Sequence, residues 1–189
     1  ASFFYDHING GVSIMSELRT NRIVPRDGLP SGSAGGIIQL KSTSLSNALA
    51  MGTNSSFEDV TGFSVSITPT RSDSKIFVML CVNFSSAGAG GSRVSFRLVR
   101  DSTAIAIGDA AGSREQVTGG SETSGGGGNM KNSSLNFLDS PSTTSAVTYK
   151  VQYIANDGAS FQLNTSAGDS NSTGYMRSVS TISVMEVSG

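Results

Sequence analysis

Lys75-Ile76-Phe77-Val78-Met79-Leu80-Cys81-Val82-Asn83-Phe84 is the stretch on which the fold turns. It is apolar at nearly every position, yet far shorter than the roughly 20 residues of a membrane-spanning helix, and its length and β-branched and aromatic content suit a strand. The run predicts a central strand, buried on both faces. Flanking segments alternate instead: Val94, Phe96 and Leu98 oppose Ser95 and Arg97, and Val147, Tyr149, Val151 and Tyr153 oppose Thr148, Lys150 and Gln152. Such period-two patterns give each strand one dry and one wet face. Adding Ile37 to Lys41, Phe63 to Ile67, Ser134 to Leu138, Ser160 to Leu163 and Ser178 to Val187 yields about eight strands. The fold class is therefore all-β, a jelly-roll-like β-sandwich, although spacing alone does not order the strands.

Composition agrees. Of 189 residues, 23 are Gly and 14% are charged, and Ser and Thr make up roughly a quarter, well away from average usage. Ser and Thr compete with the helical backbone and Gly raises its entropy cost, so strands and turns are favoured. Pro69 to Asp73 and Asp139-Ser140-Pro141 break the chain between strands, and Asn156-Asp157-Gly158 is a hairpin signal. Ala110 to Gly128 reads as a long exposed loop, carrying Arg114, Glu115, Glu122 and, within a four-glycine run, Gly126.

Two regions follow: residues 1–36, an N-terminal attachment arm with a Ser/Gly linker, and residues 37–189, the β-sandwich head. The arm holds an aromatic cluster, Phe3, Phe4 and Tyr5, then Leu18 and the pair Ile23-Val24 ahead of Pro25. The proline restricts the preceding residue to extended backbone, and an arm this apolar needs a surface to pack against. There is no heptad pattern to make a shaft of it. The start, Ala1 to Gly11, lacks the basic and apolar segments of a signal peptide, which predicts a product made in the cytoplasm and not inserted in a membrane.

The search for chemistry is mostly negative. One His, His7, and one Cys, Cys81, lie in different parts of the chain and cannot supply the usual zinc sets. Asp169 with Asn171 lacks the remaining donors of a calcium loop. No Gly is followed by Lys, so there is no phosphate loop, and a serine nucleophile has no base outside the arm. Net charge is −1 without any Lys/Arg run, against a nucleic-acid partner. Nine Asp and five Glu are scattered, and only a chance convergence would pair two for glycoside hydrolysis. No catalytic, cofactor or metal residue is assigned. Cys81, inside the apolar run, is read as a buried structural thiol. Five N-x-[ST] triplets, at Asn54, Asn83, Asn132, Asn164 and Asn171, are expected by chance in so Ser/Thr-rich a chain. Phe57, Phe63, Tyr153, Phe161 and Tyr175 suit a core or interface better than a sugar platform.

A resemblance rests on a series of runs in order: Ser16-Glu17-Leu18-Arg19-Thr20-Asn21-Arg22-Ile23-Val24-Pro25-Arg26-Asp27-Gly28-Leu29-Pro30, Gly35-Gly36-Ile37-Ile38-Gln39, Val65-Ser66-Ile67-Thr68-Pro69 and Lys75-Ile76-Phe77-Val78-Met79. It continues through Phe96-Arg97-Leu98-Val99-Arg100-Asp101-Ser102-Thr103-Ala104-Ile105, Asn136-Phe137-Leu138-Asp139-Ser140-Pro141, Thr148-Tyr149-Lys150-Val151-Gln152 and Ser183-Val184-Met185-Glu186-Val187. The chain thereby resembles small virion structural, tail-fibre-like proteins of tailed phages of cyanobacteria and marine bacteria. In that group the chain commonly begins near the position of Met15, so the likeness leaves Ala1 to Ile14 unexplained. It implies a non-enzymatic homotrimeric appendage, a tail fibre or spike or a capsid-decorating knob, tied to another virion protein by the arm and contacting a host-surface glycan. The alternative is a soluble carbohydrate-binding β-sandwich module.

Overall fold

Alternation of side chains along each strand sorts the apolar residues onto one interior, and two antiparallel sheets close over it. The computed structural model describes residues 36–122 and 127–188, and no helix occurs among them. The arm residues Phe3, Phe4, Tyr5, Leu18, Ile23 and Val24 lie outside the described residues, as does Gly126. The strands are β1 Ile37–Leu45, β2 Leu49–Met51, β3 Glu58–Ile67, β4 Lys75–Ala87, β5 Arg93–Arg100, β6 Thr103–Ile105, β7 Gly119–Glu122, β8 Lys131–Asp139, β9 Val147–Asn156, β10 Ser160–Leu163 and β11 Ser180–Val187.

In sheet 1, β4 is central, with β8 along one edge and β11 and then β10 end to end along the other. β1 extends the sheet beyond β11, and β2 beyond β10. Sheet 2 runs β3-β9-β5, with β6 and β7 end to end on the far edge of β5. Each sheet is thus four strands wide, the chain shuttles between them, and the first strand pairs with the last. This is a jelly roll. The expected strands are all present, and β4 is central as its sequence predicts.

Several expectations are corrected. β4 is buried on one face only: Ile76, Val78, Leu80, Val82 and Phe84 point into the sandwich, whereas Met79 is 41% exposed on the outside. A two-layer sandwich covers a strand from one side, so the second face of this apolar run is left uncovered by the described residues. Ala110 to Gly128 is not all loop, because Gly119–Glu122 pairs with β5. A Cβ on Gly119 would sit 2.8 Å from the Phe96 ring and 2.9 Å from the Ser133 hydroxyl, so glycine here serves close approach. Asn156-Asp157-Gly158 does form a turn, with Asp157 and Gly158 at positive φ and Ala159 N–H bonded to the Asn156 carbonyl. It joins β9 of sheet 2 to β10 of sheet 1, however, and so makes no hairpin.

The core centres on Phe84, which meets Phe96 edge-on and stacks on Phe161, both at 5.4 Å between ring centroids. Of the five aromatics considered, Phe63, Tyr153 and Phe161 are buried; Phe57 lies under the Arg97 guanidinium at 3.9 Å. At one end of the interior, Asp139 of β8 accepts from Arg100 of β5 at 2.8 Å and from the Tyr149 hydroxyl of β9 at 2.7 Å. This buried tie links sheet 1 to sheet 2. Burial, the hydrogen bond to Asp139 and the Asp139 charge hold the Tyr149 phenol protonated far above its usual range.

Candidate functional site

Two places on the head are built in ways the fold alone does not require. The first is the β10–β11 connection. Asn164 ends β10 at positive φ and is fully buried. Its amide donates to the Leu45 and Asn47 carbonyls at 2.6 and 3.1 Å and its oxygen accepts from the Ser180 hydroxyl at 2.6 Å, so one side chain fixes the break between β1 and β2 and the entry to β11. Its N-x-[ST] triplet is therefore closed to a glycan. Beyond it, Thr165 bridges Arg177, and residues 169–172 and 175–177 line an open cavity of about 340 Å³. Tyr175 is half-buried in its wall; a Cβ on Gly168 would meet that ring, and Gly168 N–H bonds the Gly127 carbonyl at 2.7 Å.

The chemistry on offer is hydroxyl, amide, phenol and thioether, with one carboxylate–guanidinium pair. Among the described residues Asp169 is the one carboxylate lining the cavity; it pairs with Arg177 at 2.6 Å and accepts from Thr165 at 2.8 Å. Retaining and inverting glycosidases use a pair of carboxyl groups, and the described lining of this cavity supplies one. Among the described residues no three His, Cys, Asp or Glu side chains gather. Of the predicted loop residues, Arg114, Glu115 and Glu122 do not line this cavity. Arg114 donates to the Ala111 carbonyl, Glu115 accepts from Asn156 at 2.8 Å, and Glu122 stands opposite Arg93 in β7.

The second place is the outer face of sheet 1. The registers align Leu40, Met185, Phe77 and Leu138 across all four strands in a single row. One row away lie Ile37 and Val187 on one side and Met79 on the other. Ile37, Leu40 and Leu138 are 62%, 55% and 54% exposed. The rows beyond Met79 are neutral and polar, Ser44-Thr181-Cys81-Ser134 and then Asn83-Asn132. Cys81 is thus half-buried on this outer face and not in the core, with Asn132 donating to its sulfur at 3.1 Å. Lys75 is the only charged residue in these rows; it donates to Ser140 at 3.0 Å. Sequence reading missed this row. The available signal was the doubly apolar β4 run, whose odd-numbered side chains had to face somewhere.

Neither a protein-family model nor a curated protein sequence matches the chain. Among solved structures, it is similar to a chain in the structure of infectious bursal disease virus Gx strain, at 11% identity and a TM-score of 0.41, over 80% of this chain and 41% of that one. It is also similar to a chain in the crystal structure of the infectious bursal disease virus VP2 subviral particle, at 12% identity and a TM-score of 0.38, over 87% of this chain and 43% of that one. The chain spans less than half the length of either.

Proposed function

We propose that this chain is a non-enzymatic structural protein of a tailed-phage virion: a short homotrimeric surface appendage held to another virion protein by its N-terminal arm. The observation that carries this reading is that the ordered runs resembling small tail-fibre-like virion proteins fall, from Ile37 onward, on successive strands and turns of a single jelly roll, β1, β3, β4, β5 with β6, β8, β9 and β11. A jelly roll is a shell-building and lectin architecture, and fold alone assigns no activity. The reading needs no cofactor and places the protein on the particle after synthesis in the host cytoplasm. The test is mass spectrometry of purified particles of the encoding virus. Peptides of residues 37–189 at a stoichiometric level are expected, a low copy number meaning a tail set and a high one a capsid lattice; their absence would contradict the proposal.

A soluble carbohydrate-binding module is the second reading, favoured by the 169–177 cavity with its half-buried Tyr175. It predicts saturable binding of a neutral glycan, lost in Tyr175→Ala. A folded protein without hits on an arrayed glycan screen counts against it.

A further inference from the structure

We infer that the outer face of sheet 1 is a contact between copies of this chain, centred on the row Leu40-Met185-Phe77-Leu138; the inference rests on the homotrimeric reading above and names its interface. Contiguous exposed apolar surface that crosses every strand near one end of a sheet and passes into neutral polar rows is the mark of a protein contact. Four strands about 4.8 Å apart and nine residues long at about 3.3 Å each give a face of roughly 500–600 Å². That is most of the about 800 Å² per partner that a stable complex buries, with the rim left to supply the rest.

The occupant is a second copy because of what the face lacks. With Lys75 its only charge, and that at one end, a charged partner would lose water from its ions and gain no counter-ion. A neutral partner is required, and the same face, or its neutral rim, on another copy offers apolar side chains opposite apolar ones and Ser, Thr and Asn opposite Ser, Thr and Asn. Position agrees as well. Ile37, where the preceding 36 residues enter the head, lies at the end of this face beside Val187. Copies gathered through sheet 1 around an axis would bring their chain entries to one end of the assembly, as attachment by three arms demands.

The experiment uses the full chain. Sedimentation equilibrium of the unmodified protein is compared with Leu40→Glu and Leu138→Glu, at opposite edges of sheet 1, and with Ser66→Glu on the outer face of sheet 2. A trimer is expected for the unmodified chain and for Ser66→Glu, with association weakened roughly 100-fold in the two sheet 1 variants. In parallel, with Cys81→Ser as the background because that free thiol lies on the same face, Ser183→Cys, in the row next to the apolar one, should be cross-linked between chains by a short bis-maleimide and Ser66→Cys should not. The cross-link decides the matter if the glutamate variants do not fold. A monomeric unmodified chain overturns both the trimer and this interface. A trimer that survives both glutamates and is not linked through Ser183→Cys overturns the interface alone.

Discussion

The outer faces of the two sheets differ in kind. On sheet 2, Lys150 pairs with Asp59 at 2.7 Å, Gln152 donates to the same carboxylate, and Arg97 reaches the Gln152 oxygen while lying over Phe57. Charge there is present, matched within the chain and wet. On sheet 1, the corresponding position carries an uncharged row of four apolar side chains with no cover from the described residues. A face that satisfies itself is built for solvent, and one that leaves its apolar groups open is built for contact. The difference is visible in the strands themselves: β4 is apolar at nearly every position from Ile76 to Phe84, while β5 and β9 alternate.

Substitutions in the shared interior and on each outer face should act differently. Breaking what the sheets share should cost more than changing either outside. Asp139→Ala leaves Arg100 and the Tyr149 hydroxyl without their buried partner and should lower unfolding free energy by about 3–5 kcal/mol, measured by denaturant titration. Asn164→Ala strips partners from two backbone carbonyls and the Ser180 hydroxyl, for about 2–3 kcal/mol by the same method. On the outside, Leu138→Gln should change the stability of the isolated chain by no more than about 0.5 kcal/mol while weakening association, whereas Lys150→Met on sheet 2 should cost about 0–1 kcal/mol and leave association unchanged.

Acid should act through the interior of sheet 1. Glu186 is buried, which raises its pKa, but hydrogen bonds from Gln39 and from the Thr70 side chain and backbone outweigh that and hold it below its ordinary value of 4.5. A carboxylate depressed in the folded state contributes stability that is present above its unfolded pKa and lost as pH falls through the folded one. Thermal stability should therefore decline below about pH 4.5, and Glu186→Gln should flatten that decline. An unaltered acid profile in the variant would contradict this assignment.

Much of this was legible in the sequence. Strands β4, β5 and β9 announced themselves by apolar runs and alternation, because burial of one sandwich face imposes period two on every long strand. The short strands did not. Leu49–Met51, Thr103–Ile105 and Gly119–Glu122 hold too few residues for a period, and the last begins with two glycines, of which Gly119 lies close against the Phe96 ring. The 156–158 turn was readable as a turn, but its chemistry is local and says nothing about which sheet the next strand joins. The outer row of sheet 1 was hidden for a related reason: Leu40, Leu138 and Met185 lie about 45 residues or more apart in sequence, and only the registers, set by long-range pairing, bring them into line. The 169–177 cavity gave no composition signal, since Ser and Asn are common throughout the chain.

Whether the protein is displayed on the particle can be read from intact particles of the encoding virus imaged with antibody raised against residues 37–189. Label is expected at a fixed site on the particle surface, on tail or head. Intact particles that carry no label, under conditions in which the antibody binds the purified protein, would contradict it.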